Sequence, residues 1–108
     1  MPTEDVLQEI RDFVAERDWA QFHTPANLAK SVMIEGAELL ELFQWDDNFD
    51  RDAVLDELAD VMTYGILLAD KLDSSVSEIV SAKLAKTRSK YPVELARGTS
   101  EKYDRLQG

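Results

Sequence analysis

The chain has 108 residues, of which 22 are acidic and 12 basic, for a net charge of −10 at pH 7. That length fits one domain. The negative field argues against a module for polymeric nucleic acid, which needs basic surface to neutralise phosphates, and with no cysteine there is neither a disulfide framework nor a thiolate zinc site.

Glycine and proline are scarce, at four and three, which favours helix over sheet. The pattern predicts an all-α domain over 1–92, an antiparallel four-helix bundle, followed by a polar tail over 93–108. The first helix spans about Thr3 to Arg17. Its residues Val6, Leu7, Ile10, Phe13 and Val14 recur as an amphipathic stripe. Thr3 suits an N-cap, with acids in the first turn to match the helix dipole. Thr3-Glu4-Asp5 also lacks the basic start and apolar run of a signal peptide. No apolar stretch approaches the roughly 20 residues of a membrane span. A cytoplasmic protein without membrane contact is expected.

Asp18 to His23 form an aromatic-rich connector. Thr24-Pro25 then signals a helix start, a capping hydroxyl before proline at the first helical position. The second helix runs from about Pro25 to Phe43, and Asp46-Asp47-Asn48 make a turn. Asp50 can cap a third helix from about Arg51 to Leu72, which Asp73-Ser74 breaks. Ser75-Val76-Ser77-Glu78 has the capping-box pattern. It opens a fourth helix to about Arg88, and Tyr91-Pro92 closes it. The remainder to Gly108 is expected to be extended or loosely docked.

Two acidic pairs at i,i+3 stand out, Glu35 with Glu38 and Glu57 with Asp60. At about 100° per residue, Leu28, Val32, Leu39 and Leu42 fall within roughly 60° of Glu35. Val54, Val61, Tyr64 and Leu68 share the face of Glu57 in the same way. Glu38 and Asp60 flank the two stripes. A single acidic pair on a helix is ordinarily solvated surface. Two pairs, each aligned with an apolar face on adjacent helices, would meet if those helices pack antiparallel across a short turn. Like charges brought together there call for a cation. Oxygen ligands at this density suit Mg²⁺ or Mn²⁺.

Two further features go with the acids. Lys83 lies on the apolar stripe of the fourth helix with Val76, Val80 and Thr87, where it would face inward and offer a point charge to phosphate. Lys86, Arg88 and Lys90 suit the C-terminal end of that helix dipole. Trp19 and Trp45 flank the second helix, placed to stack on a planar base. The apolar load of the second and third helices argues against a lone monomer.

The run Arg17-Asp18-Trp19-Ala20-Gln21-Phe22-His23-Thr24-Pro25-Ala26-Asn27-Leu28 resembles the opening of the MazG-like all-α nucleoside triphosphate pyrophosphohydrolases, in their dCTP pyrophosphatase branch. Glu35 to Trp45 is similar to the family's first metal motif and Asp56 to Val61 to its second. Lys83 with Lys86 to Pro92 is similar to its C-terminal phosphate-binding stretch. The resemblance implies a helical bundle assembled as a homodimer or homotetramer. It implies Mg²⁺-dependent cleavage of a nucleoside triphosphate, dCTP or a modified dCTP, to monophosphate and pyrophosphate. By the same resemblance Glu35, Glu38, Glu57 and Asp60 are metal ligands. Trp19, His23, Trp45 and Tyr64 correspond to the nucleotide pocket, and Lys83 and Arg88 to phosphate contacts. Glu35 or Glu38 would orient or deprotonate the attacking water. Ile34 stands where many members carry another glutamate, and Thr87 where close relatives often have asparagine. Ligand count and base preference therefore stay open. A broad house-cleaning pyrophosphatase and a non-catalytic helical oligomerisation module are the competing readings.

Overall fold

A computed structural model describes residues 3–45 and 47–98. Its elements are α1 (Thr3–Glu16), a 3₁₀ turn (Ala20–Phe22), α2 (Pro25–Glu41), α3 (Arg51–Lys71), α4 (Val76–Lys90) and α5 (Val93–Ala96). The all-α architecture expected from the sequence is the one observed, with no strand among the described residues. Contacts divide the chain into two units, one reaching Val76 and the other starting at Ser77.

In the first unit the helix ends follow from local chemistry. The Thr24 hydroxyl accepts the Asn27 N–H at 3.1 Å, with Pro25 at the first helical position. Asp50 accepts the Asp52 N–H at the start of α3. α2 stops two residues short of Phe43 because its last turn tightens. Leu42, Phe43 and Gln44 each donate to the carbonyl three residues back, the 3₁₀ habit of frayed termini. The expected turn at Asp46-Asp47-Asn48 includes Asp46, which lies outside the described residues.

α1 and α3 end alike. Asp18 has φ 52° and Asp73 has φ 58°, in the left-handed region that aspartate tolerates better than most residues. After α1, Trp19 donates to Val14 and Asp18 to Ala15; after α3, Ser74 donates to Ala69 and Asp73 to Asp70. Both are Schellman closures, with aspartate where glycine is usual. The first swings Trp19 back beside α1, edge-on to Phe13 with ring centroids 5.6 Å apart.

α2 and α3 form the main contact of this unit, and they run antiparallel. Leu28, early in α2, and Leu67, late in α3, line one cavity, whereas Glu35 meets Glu57 and Asp60 further toward the turn. The Phe43 and Phe49 rings, 5.2 Å apart, close the connection between the helices. α1 packs against α3. Among the described residues the buried apolar side chains are Val14, Leu28 and Ala69, and of these Leu28 is fully buried. The core is small and sits where α1, the start of α2 and the end of α3 meet.

The second unit departs from the sequence reading in two places. Lys83, expected to face inward, is exposed, and on α4 only Val76 and Thr87 are even half-buried. The stripe that suggested an inward lysine is thus largely open, with Val80 48% exposed. The segment after Pro92, expected to be extended or loosely docked, is not extended at its start: it winds into one helical turn, with Leu95 N–H donating to Pro92 and Arg97 N–H to Val93. A helix of four residues is too short for periodicity to reveal. The rest of the tail, 99–108, lies outside the described residues.

Candidate active site

The α2–α3 contact brings carboxylates together as the stripes predict. Glu35, Glu57 and Asp60 each offer an oxygen within 4.8 Å of the others. Glu35 and Glu57 are half-buried, whereas Glu38 and Asp60, on the flanks of their stripes, are exposed. Glu38 lies close enough that its side chain acts on both inner glutamates. Its hydrogen bond to Glu35, then burial, then the charges of Glu38, Asp60 and Glu57 push the Glu35 carboxyl up to about 7. Glu57 is also raised, first by burial and then by the charges of Glu38 and Asp60. Without a cation, like charges and burial thus make this cluster hold a proton more readily than separate glutamates do.

One oxygen of Glu35 and one of Glu57 are buried with no hydrogen-bond partner. Buried carboxylate oxygens are costly unless something accepts their charge. Among the described residues no lysine or arginine makes an ion pair with the cluster. An all-oxygen donor set with unsatisfied inward atoms fits a hard divalent cation.

Beside the acids lies a cleft of about 430 Å³, lined by Glu9, Ile10 and Phe13 of α1, by Trp19, and by Asp60, Thr63 and Tyr64 of α3. Asp60 belongs to both cluster and cleft. The Trp19 and Tyr64 rings supply flat apolar surface. The Thr63 hydroxyl donates to the Ala59 carbonyl at 2.8 Å, which leaves its lone pairs free to accept. Arg17 holds the aromatic wall, its guanidinium 3.8 Å from the Phe13 ring centroid and its Nη1 donating to the Phe13 carbonyl.

Of the residues named from sequence, the structure therefore gathers Glu35, Glu57 and Asp60, with Glu38 at their edge, and sets Trp19 and Tyr64 beside them. His23 is half-buried and lines a different cavity, with Arg11, Leu28 and Asp70. Trp45 lies past the end of α2, 88% exposed, and is not among the residues lining the cleft. Lys83 and Arg88 are exposed on α4 in the second unit. The sequence reading missed the α1 wall. Phe13 belongs to the amphipathic stripe of α1, and it is 46% exposed and lines the cleft. Its six-residue spacing from Trp19 becomes informative only once Asp18 turns the chain back.

Comparison with known proteins agrees with this geometry. The MazG-like family model matches residues 30–106. The chain is 38% identical to the mouse (Mus musculus) dCTP pyrophosphatase 1, across 95% of this chain and 69% of that protein. The human (Homo sapiens) dCTP pyrophosphatase 1 is likewise 38% identical with the same coverage. Among solved structures, a pyrophosphatase from Archaeoglobus fulgidus DSM 4304 superposes with a TM-score of 0.75 at 39% identity, covering 83% of this chain and 92% of that one. With its acidic motifs on facing helices and most of its length matched, the chain belongs to the MazG-like family.

Proposed function

We propose that this chain is a nucleoside triphosphate pyrophosphohydrolase that cleaves dCTP, or a base-modified dCTP, to the monophosphate and pyrophosphate. The observation that carries this reading is Asp60, which joins a cluster of carboxylates with unsatisfied oxygens to a cleft walled by aromatic rings. The dCTP pyrophosphatases at 38% identity support the substrate class.

Glu35, Glu57 and Asp60, with Glu38 at the edge, would hold Mg²⁺, with Mn²⁺ able to replace it. The bound ion supplies charge neutralisation for the triphosphate and polarises its oxygens. The chain's own groups do the rest. Trp19 and Tyr64 hold the base by stacking, and Thr63 offers an acceptor within the same cleft. Glu38, exposed at the edge, or the half-buried Glu35 orients the attacking water and takes its proton. Lys83 and Arg88 are the phosphate contacts that the family resemblance assigns. His23 and Trp45 keep only that resemblance as support for a role at the base. Catalysis in such a site is mainly positioning and charge stabilisation. Assembly as a homodimer or homotetramer and a cytoplasmic location complete the reading. Among the described residues no helix is long and apolar enough to cross a membrane.

The test is a panel of canonical and modified dNTPs and NTPs with Mg²⁺, followed by phosphorus NMR. Pyrophosphate and dCMP are expected from dCTP. Glu38→Gln should lower kcat by about 10²-fold or more, with the circular dichroism of a helical protein unchanged. Release of orthophosphate, or an unaltered rate in the variant, would overturn the assignment.

A further inference from the structure

α1 separates two cavities. Glu9, Ile10 and Phe13 line the cleft beside the acids. Arg11, Val14 and Ala15 line the other, of about 160 Å³, with Ala20, His23, Leu28, Leu67, Asp70 and Lys71. At about 100° per residue the two sets occupy adjoining sides of α1. α3 supplies a wall to each cavity as well, Asp60, Thr63 and Tyr64 to the cleft and Leu67, Asp70 and Lys71 to the smaller one. A tilt of α1 against α3 therefore changes the width of the cleft.

One polar link resists that tilt. Arg11 Nε donates to Asp70 Oδ2 at 3.1 Å, and Arg11 Nη2 donates to Asp70 Oδ1. Among the described residues it is the only side-chain hydrogen bond or ion pair joining α1 to α3. The two-bond fork fixes orientation as well as distance, which a single contact does not. Val14, one turn further along α1, is buried. Asp70 stands seven residues, two helical turns, beyond Thr63, so the anchor is about 10 Å along α3 from the cleft wall. A small angular change at the anchor therefore moves Ile10 and Phe13 relative to Tyr64.

We propose that Arg11 and Asp70 are a positioning pair: they touch no substrate, and by holding α1 on α3 they set the width of the base cleft and hence the affinity for nucleotide. This rests on the cleft being the base site of the pyrophosphohydrolase described above. The Arg11 guanidinium holds the Asp70 carboxyl below its usual range, as a formed ion pair requires.

The experiment uses Arg11→Ala, Asp70→Ala, Arg11→Lys and the exchanged pair Arg11→Asp with Asp70→Arg. Kinetics use the otherwise unaltered full chain; a second set carrying Trp45→Phe, so that Trp19 is the sole tryptophan, serves the quenching measurement alone. Pyrophosphate release from dCTP gives KM and kcat, and acrylamide quenching reports the exposure of Trp19 without any turnover. Each alanine variant should raise KM about fivefold or more while kcat stays within about twofold. The quenching constant of Trp19 should rise about twofold on the same ground of a loosened wall. The exchanged pair should restore both to within about twofold of the parent. Arg11→Lys keeps the charge without the fork; it should raise KM less than alanine does, and it decides the matter if the alanine or exchanged variants fail to fold. A fall in melting temperature with KM and quenching unchanged means a merely structural salt bridge and overturns the proposal. So does a folded exchanged pair that restores neither. If the parent protein releases no pyrophosphate, the activity reading fails, and Trp19 quenching still decides whether the pair holds the wall.

Discussion

Glu35 and Glu57 each turn one oxygen inward, where no donor meets it. A carboxyl in that position is easier to keep protonated than charged. The Glu35 group, raised from 4.5 to about 7, binds a proton in the folded state that the unfolded chain has already released. Its contribution to stability is therefore fully present below the unfolded value and is lost as pH rises through the folded one. The metal-free protein should melt at a lower temperature at pH 8 than at pH 5, as followed by circular dichroism in a chelator. Glu35→Gln should flatten that dependence and raise the metal-free melting temperature at pH 8. Mg²⁺ needs the deprotonated ligands, so it should stabilise the parent more at pH 8 than at pH 5. A melting temperature independent of pH and Mg²⁺ would show that these acids do not form the cluster. At this scale the sequence was informative, because side-chain direction on a helix follows from spacing alone. The placing of Glu35 and Glu57 inside, with Glu38 and Asp60 on the flank, was legible for that reason.

The elements owe their limits to a few groups. Thr24 and Asp50 cap α2 and α3 through side-chain oxygens, and Asp18 and Asp73 end α1 and α3 in left-handed geometry. These signals are local, so most helix starts and stops could be read before any tertiary contact was known. What could not be read is how each face is used. The amphipathic stripe of α1 divides its work: Val14 enters the core while Phe13 lines the cleft. Leu28, only 1% exposed, is the most deeply buried side chain among the described residues. Leu28→Ala should cost about 2–5 kcal/mol, since a cavity already lies beside it and collapse cannot fill the gap. Thr24→Ala, which removes one cap bond on an exposed turn, should cost about 1 kcal/mol. Urea titration of both variants tests the ranking, and equal losses would mean that α2 is held mainly by its cap.

For the molecule as a whole, the open apolar surface is the main physical problem. Met33 is 73% exposed and Leu40 69%, both on the side of α2 turned away from Glu35; Leu55 and Met62 of α3 are likewise open, at 43% and 54%. A helix apolar on both faces expects cover on both. A second copy of the chain is the cover that the homo-oligomer reading supplies. Light scattering should show a dimer or tetramer, and Met33→Glu with Met62→Glu should shift it toward monomer. A monomeric parent protein would remove the assembly from the functional reading. Taken alone, the sequence determined the helices, their caps and the inward direction of the acids, because backbone geometry over a few residues sets all three. Only the tertiary structure decided that three carboxylates come within reach of one ion, that the cleft borrows a wall from α1, and that His23 and Trp45 lie elsewhere. Those outcomes depend on how whole helices lean on one another, which is settled by contacts between residues far apart in the chain.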